Sequence, residues 1–255
     1  MSISNMMSMG NRMYIIPQDV ETREDILNID RSTKEDIRLK HRLYLNSDWE
    51  CNTVSNTVVE ALVRILYSHI KDNGVHILDT LDDNELDFYG LLTIAASNKR
   101  NESAEKTGNI NVKFKPGYRV KEIIELSKNN VNEEYEFIAI DAAYSYPDDT
   151  DRTAAVLKVD KIARKVLADK YSLILPKDFQ AVATAVVFLE NLYKHLIYKV
   201  TSTEKTSTMI NFNDIIEFHA TRKGDEIDIR LRPGMGAKLI IKSDESTEDE
   251  DALSD

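Results

Sequence analysis

The chain has 255 residues, of which 42% are hydrophobic and 30% charged, and its formal net charge at pH 7 is −11. This balance is typical of a globular chain with enough apolar material for a core. No apolar stretch reaches the roughly 18–20 residues of a membrane span. The lone cysteine, Cys51, excludes an internal disulfide framework and a cysteine-based zinc site. We therefore expect a reducing, cytoplasmic location, or a virion assembled there.

The N-terminal arm, residues 1–18, is rich in Met, Ser and Asn. It lacks the basic patch and apolar run of a secretory signal. We interpret its short apolar run, Met13–Ile16, as a segment that docks on a neighbouring subunit.

Residues 19–128 are predicted to form a first repeat unit. Ser32–Glu35 has the spacing of a capping box, which predicts a helix from there to about Leu45. Two β-rich segments, residues 88–98 and 110–126, close the unit. Between them and the first helix, helical spacing predicts a second helix with one shared face: Val58, Leu62, Ile65, Leu66 and His69.

Residues 129–150 are predicted to connect two units, with Tyr135–Ile140 alternating like a strand. A group of acidic residues in this region could offer carboxylate oxygens to a divalent cation: Asp141, Asp148, Asp149 and Asp151. Because the run lacks the glycine and the terminal glutamate of a calcium loop, we expect a linker and no metal site.

Residues 151–243 are predicted to form the second repeat unit. Its helices are expected near residues 152–169 and 178–199, and the latter is apolar nearly all round, which predicts a central, buried position. Two β-rich segments, residues 212–222 and 226–242, follow. Lys223–Asp225 has the composition of a short hairpin connection between them.

The chain ends in an acidic tail, residues 244–255. It contains no Lys or Arg, and its acids are Asp244, Glu245, Glu248, Asp249, Glu250, Asp251 and Asp255. Such a segment cannot bury enough apolar surface to offset its ordering entropy, so we expect it to be disordered when alone.

The two units emerge when the chain is compared with itself. The sequence INVKFKPGYRVKEII at 110–124 parallels IDIRLRPGMGAKLII at 227–241, and FYGLLTIAASNK at 88–99 parallels FNDIIEFHATRK at 212–223. Further upstream, LYSHI at 66–70 parallels LYKHL at 192–196, which places His69 over His195. The predicted fold class is therefore α+β: a tandem duplication of a helix-helix-β-hairpin unit, giving two pseudo-equivalent subdomains.

The Pro-Gly pair inside each long match is interpreted as a tight hairpin turn, over residues 116–118 and 233–235. Each hairpin then buries one face, with Glu122 as the single charged intruder, and gathers cations on the other. These basic stripes are the predicted interaction residues: Lys113, Lys115, Arg119 and Lys121 in the first hairpin, and Arg230, Arg232 and Lys238 in the second.

The basic stripes have three interpretations. They could pair with nucleic-acid phosphates while Tyr118 stacks on a base. They could instead meet carboxylates of a neighbouring subunit or of the acidic tail. The third interpretation is a solvated outer sheet face whose lysines guard the edges.

No catalytic residue is predicted, because the chain has no phosphate-binding glycine loop and no Gly-x-Ser-x-Gly elbow. His41, His76 and His219 have no partners at metal-ligand spacing, and the paired positions of His69 and His195 favour a packing role. We expect no enzymatic activity, no cofactor and no metal.

The functional hypothesis is a structural or assembly protein of a larger oligomeric complex, such as a viral or phage particle. A duplicated fold offers two similar surfaces, which suits quasi-symmetric contacts with other protein subunits. The alternative is a nucleic-acid-binding protein with an autoinhibitory acidic C-terminal tail.

Overall fold

The computed structural model describes residues 5–9, 12–72, 85–100, 106–129 and 150–246 of the chain. These ranges contain helices α1 (Val20–His41), α2 (Glu50–Asp72), α3 (Arg119–Asn129), α4 (Thr150–Tyr171), α5 (Gln180–Ser202) and α6 (Met235–Ser246). They also contain strands β1 (Asn5–Met9), β2 (Arg12–Ile16), β3 (Glu85–Phe88), β4 (Leu92–Arg100), β5 (Lys106–Pro116), β6 (Ser207–Phe212), β7 (Ile216–Lys223) and β8 (Glu226–Pro233). The expected α+β class is confirmed.

The same order of elements, two helices, three strands and a helix, occurs in residues 20–129 and again in residues 150–246. We call these ranges the first and second units. In the first unit, β3, β4 and β5 form an antiparallel sheet in that order. In the second, β6, β7 and β8 do the same, and the predicted connection at Lys223–Asp225 joins β7 to β8.

Helix α1 begins earlier than its sequence predicts. The Asp19 carboxylate accepts a hydrogen bond from the backbone N–H of Thr22 (2.7 Å), so Asp19 is the N-cap. The expected capping box at Ser32–Glu35 is wrong, because this segment lies inside α1. There the Thr33 hydroxyl donates to the carbonyl of Ile29 (2.7 Å), a bond typical of a hydroxyl inside a helix.

In both units the first helix caps the second with a buried carboxylate. Asp30 accepts hydrogen bonds from the backbone N–H groups of Trp49 (3.1 Å) and Asn52 (2.6 Å) at the start of α2. Asp160 accepts one from Val182 (3.1 Å) at the start of α5. Burial raises the pKa of Asp30 to about 7, and it raises that of Asp160 as well.

The junctions between these helices also agree residue by residue. Arg42 and Ser172, which end α1 and α4, both take left-handed φ angles, 51° and 53°. Trp49 and Phe179, which precede α2 and α5, do so at 73° and 72°. A short sequence match accompanies these angles: Leu43-Tyr-Leu45 and Asp48-Trp49 against Leu173-Ile-Leu175 and Asp178-Phe179. It lies upstream of the three blocks that the sequence comparison aligns.

The helix starts correct the register of the sequence comparison. Counted from Glu50 and Gln180, Glu60 matches Glu190, and His195 lies four residues, about one turn, before the position of His69. The expected superposition of His69 on His195 is therefore wrong. Short matches within a helix slip by a turn because a shift of four residues keeps the apolar face in place.

The Pro-Gly pairs are not hairpin turns; each ends a strand and starts a helix. Pro116 is the last residue of β5 and pairs with Leu92, and α3 begins at Arg119. Pro233 pairs in the same way with Ile216, and α6 begins at Met235. The hairpin interpretation of residues 116–118 and 233–235 is wrong, because the residues that follow repeat at helical spacing.

Each Pro-Gly junction is locked by a close backbone approach. The Gly117 N–H donates to the carbonyl of Leu91 (3.2 Å), and the Gly234 N–H donates to that of Ile215 (2.9 Å). A Cβ at Gly117 would lie 2.1 Å from the carbonyl oxygen of Gly90, and one at Gly234 would lie 2.1 Å from that of Asp214. Only glycine fits where two backbone segments approach this closely.

We expect Gly117→Ala and Gly234→Ala each to lower the free energy of unfolding by about 1–3 kcal/mol, since the added methyl group meets backbone rather than a movable side chain. Urea unfolding followed by circular dichroism measures the loss. The control is Gly224→Asn in the β7–β8 turn, where φ is 62° and no atom lies within 4 Å of a new Cβ. It should cost less than about 1 kcal/mol, and equal losses at all three sites would contradict the packing argument.

The core lies between the two central helices, α2 and α5, which pack against each other. Residues 179–193 of α5 and its approach are all buried, which confirms the predicted central position of this helix. Apolar side chains of both units are buried in this core: Leu62, Leu66, Val186, Leu189, Ile229 and Ile240. Ile227 is only partly buried.

The flanking helices are exchanged between the units. In the first unit α1 and α3 pack on α5, and in the second α4 and α6 pack on α2; α1 and α4 also contact the central helix of their own unit. The β3–β4 turn and the β6–β7 turn also contact the central helix of the other unit. The Tyr193 hydroxyl on α5 donates to the carbonyl of Leu91 (2.8 Å), and the Asn213 amide in the second unit donates to Asn52 on α2 (2.8 Å).

The N-terminal arm is built into this chain. β1 and β2 form an antiparallel pair, and Tyr14 and Ile16 on β2 are buried. The Tyr14 hydroxyl donates to the carboxylate of Glu50 at the start of α2 (3.0 Å). The interpretation of Met13–Ile16 as a segment that docks on a neighbour is thus wrong for Tyr14 and Ile16, because their side chains fill a site in the chain's own core.

Two further expectations lie wholly or partly outside the described residues. The predicted strand at Tyr135–Ile140 and the carboxylates of Asp141, Asp148 and Asp149 fall outside them. The acidic tail begins inside α6, which continues to Ser246; residues 247–255 lie outside the described part.

Candidate interaction surface

Four of the predicted cations lie on the outer faces of two strands. Lys113 and Lys115 on β5 are exposed, whereas the alternating residues Val112 and Phe114 are buried against the helices. On β8, Arg230 and Arg232 are exposed while Ile229 and Leu231 are buried. The period of two along a strand places the members of each pair on one side.

The strands that carry these cations adjoin. Cα atoms of β5 and β8 come within 8 Å of each other, although the two strands belong to separate sheets. Stacked sheets lie about 10 Å apart, so this shorter distance indicates neighbouring edges rather than stacked faces. Both units thus bring their basic strand to the middle of one layer. We call the group Lys113, Lys115, Arg230 and Arg232 the four-cation face.

The other three predicted cations lie on helices, which corrects the picture of one stripe per hairpin. Lys121 on α3 and Lys238 on α6 are exposed. Arg119, on the first turn of α3, is held by Glu190 of α5, with 2.5 Å between guanidinium and carboxylate and side-chain exposures of 13% and 3%. Arg119 therefore joins the two units and is not available to an external partner.

Carboxylates at the margin of the four-cation face pair with two of its members. Lys115 lies 3.5 Å from Glu85, and Arg230 lies 2.7 Å from Asp228. Both pairs are exposed, and exposed pairs contribute only about 0–1 kcal/mol, so an anionic partner can displace them. Among the described residues, Lys113 and Arg232 have no ion pair.

Large apolar side chains are exposed at corresponding places in the two units. Tyr118 and Met235 directly follow the two Pro-Gly pairs, and Tyr44 and Ile174 lie in the two loops between the first and second helices. Their exposed fractions run from 61% to 80%. Sequence reasoning noticed only Tyr118. The available signal was Leu-Tyr-Leu at 43–45 against Leu-Ile-Leu at 173–175, where an apolar residue stands at the position that should be polar.

A polar network joins α1 to α5. The Asp25 carboxylate lies 3.0 Å from Nε2 of His195 and 2.5 Å from Nζ of Lys199, and Lys199 also binds Glu21 (3.2 Å). Burial raises the pKa of Asp25, but the hydrogen bonds from His195 and Lys199 outweigh it and hold the pKa below its ordinary value. The network fastens α1 to the other unit.

The same interface continues toward the middle of α1. The Asn191 amide donates to Asp36 (3.0 Å) and to the Thr33 hydroxyl (3.3 Å). Burial raises the pKa of Asp36 and lowers that of Lys194, so both neutral forms are favoured relative to water. Carboxylate, imidazole and amine groups could transfer protons, yet each described contact binds one helix to another.

We expect Asp25→Asn to lower the free energy of unfolding at pH 7 by about 1–3 kcal/mol, because charge-assisted bonds to His195 and Lys199 are lost. The folded-state pKa of Asp25 is depressed from 3.8, so its stabilisation is present above about pH 4 and is lost as the pH falls through the folded-state value. Urea unfolding at neutral pH and at successively lower pH should show the difference between the two proteins shrinking as the pH falls below about 4. Glu217→Gln is the control, because the contact between Glu217 and His219 is long, at 3.5 Å, and partly exposed. A stability difference between Asp25→Asn and the wild type that persists in acid would contradict the stabilising role of the Asp25 carboxylate.

Cys51 is fully buried, and burial raises the pKa of its thiol, which keeps it protonated and unreactive. The described part of the chain contains no group of three His, Cys, Asp or Glu side chains placed to hold a metal ion. None of the described helices combines the length and the apolar character that crossing a membrane requires.

Comparisons with known proteins add no relative. No family model, no curated protein and no solved structure matches the chain.

Proposed function

We propose that the chain is a non-enzymatic assembly protein whose two units arose by tandem duplication and that it self-associates through the two similar surfaces they present. The repeated order of elements supports the duplication. So do two details that the units share: the carboxylate of the first helix that caps the second, and the Pro-Gly junction between the last strand and the last helix. Neither detail requires the other. If the two units had evolved independently, each would have had to acquire both details separately.

The observation that carries the assembly function is the matched exposure of Tyr118 and Met235. Large side chains with apolar bodies supply contact area at protein interfaces, and aromatic residues and Met are enriched there. One such residue is common on any surface. A pair at the same place in two similar units offers two similar contacts, which suits a subunit that binds a neighbour on either side. We propose that the complex is built from repeated subunits, like a viral or phage particle.

Size-exclusion chromatography with light scattering, at about 1 and 100 µM protein, tests the proposal. We expect association at the higher concentration, and loss of it in Tyr118→Ser/Met235→Ser. The matched control is Val20→Ser/Leu39→Ser, which removes two equally exposed apolar side chains of α1. A protein that stays monomeric at about 100 µM would refute self-assembly, and equal loss in the control would refute the role of the matched pair.

Nucleic-acid binding is the second candidate, and the four-cation face is the observation that favours it. It has less support than assembly because Arg119 is committed to Glu190, and because Lys115 and Arg230 have carboxylate partners. Its test forms one arm of the experiment described below.

A further inference from the structure

The four-cation face is a local exception in an acidic chain. The net charge is −11, yet four exposed cations lie on two adjoining strands. The neighbouring outer positions on β4, Thr93, Ala95 and Ser97, are uncharged. Carboxylates surround these cations, at Glu85 and Asp87 on β3, Glu217 on β7, and Glu226 and Asp228 on β8. A partner that contacts the four cations themselves must therefore be anionic and must reach across the boundary between the two sheets.

The chain itself carries a matching anion. The segment 247–255, which follows the last described residue, contains Glu248, Asp249, Glu250, Asp251 and Asp255 and no Lys or Arg. Nine residues span at most about 30 Å when extended. Four consecutive acids cover roughly 13 Å of that length, enough to bridge two strands whose Cα atoms come within 8 Å of each other.

We propose that the acidic segment 247–255 of one copy docks on the four-cation face of a second copy. The proposal rests on the self-assembly proposed above and names one of its contacts. The position of α6, the last described element, favours a second copy as the source. Ala237 and Ile240 pack α6 against α2, on the helix-covered side of the sheets and not on the four-cation face. A neighbouring copy can present the segment to the face directly.

Such a contact must be close and sensitive to salt. The Debye length at physiological ionic strength is about 8 Å, so only a segment that lies on the face interacts strongly with it. The first measurement titrates a synthetic peptide of residues 244–255 into protein that lacks residues 247–255, a deletion that leaves α6 complete. We expect binding that weakens roughly tenfold or more between about 50 and 500 mM NaCl.

Charge reversal locates the peptide. Lys113→Glu/Arg232→Glu should weaken its binding roughly tenfold or more, because these two cations are free of described ion pairs. The matched control is Lys158→Glu/Lys161→Glu, which makes the same change of charge on exposed positions of α4. Equal weakening by both variants would show that only net charge matters, and would overturn the assignment to this face.

Mixing two variants distinguishes docking of the segment on a second copy from docking on its own copy. One variant, Lys113→Glu/Arg232→Glu, keeps the segment and loses the face; the other lacks 247–255 and keeps the face. We expect each alone to associate roughly tenfold less than the wild type, and the mixture to recover a one-to-one complex by light scattering. If mixing changes nothing while the full chain blocks the peptide, the segment binds its own face and the proposal is wrong.

Two further outcomes separate this proposal from the one on which it depends. If the wild type associates and both variants associate equally well, self-assembly stands and the docking of the segment is refuted. If the wild type stays monomeric, both fail. An anisotropy titration with single-stranded DNA and RNA completes the set. Tight, salt-sensitive binding by the truncated protein that the full chain lacks would overturn the proposal in favour of an autoinhibited nucleic-acid site.

Discussion

Replacing Arg119 with methionine is expected to lower the free energy of unfolding by about 3–5 kcal/mol, the cost of removing one member of a buried ion pair. The carboxylate of Glu190 has a side-chain exposure of 3% and lies 2.5 Å from the guanidinium. Methionine keeps much of the volume of the arginine stem but offers no donor. Urea unfolding monitored by circular dichroism gives the loss directly.

Arg230→Met is the matched control for this change. Arg230 also pairs with a carboxylate, that of Asp228, but the side chains are 70% and 50% exposed, so the expected loss is at most about 1 kcal/mol. A double variant, Arg119→Met/Glu190→Leu, should recover part of the loss, since it also removes the buried carboxylate that Arg119 contacts. Similar losses for Arg119→Met and Arg230→Met would show that the α3–α5 pair does not hold the units together.

Truncating Leu189 to alanine is expected to cost about 2–5 kcal/mol, the range for a buried leucine whose cavity is not refilled. Leu189 lies on α5, where the neighbouring residues on every side of the helix are also buried. The site therefore has little freedom to collapse around the missing atoms. The measurement is again urea unfolding, with an unchanged slope as evidence that the denatured state is the same.

The control is Leu239→Ala on α6, where the leucine is 58% exposed. It should change the free energy of unfolding by less than about half a kcal/mol. If Leu189→Ala also stays below about half a kcal/mol, α5 cannot be the central helix that its burial indicates.

The sequence predicts the elements better than their boundaries. A helix that is apolar nearly all round is predicted to be buried, and α5 is buried. The sequence does not predict the start of α1, because the buried face of this helix contains polar residues, among them Asp25, Thr33 and Asp36, which interrupt the apolar period. A capping pattern inside the helix, at Ser32–Glu35, then offered a false start.

The segments after the Pro-Gly pairs show why a local pattern can support two structures. Val120 and Ile124 fit one face of a strand and one face of a helix equally well. Two residues separate the alternatives: Glu122 and Leu239 would lie on the buried side of a strand, whereas in the helices both are exposed. The charged intruder was thus evidence for a helix.

For the candidate surface, the sequence identifies the cations but not their arrangement. Lys113 and Arg232 belong to strands far apart in the chain, and only tertiary packing brings β5 beside β8. The ion pair that removes Arg119 from the surface depends on the same packing, since Arg119 and Glu190 belong to different units. No local pattern encodes either contact.

The exchange of flanking helices sets the order of events during synthesis. Helix α2 needs α4 and α6 from the second unit to cover its apolar surface. At about 5–20 residues per second, the ribosome takes on the order of 10 s to add the residues between α3 and the end of α6. Throughout that time α2 is covered by α1 and β4 on part of its surface only, and the folding of the first unit is complete only when the last helix emerges. A chaperone that binds apolar helical surface would meet this chain before it is finished.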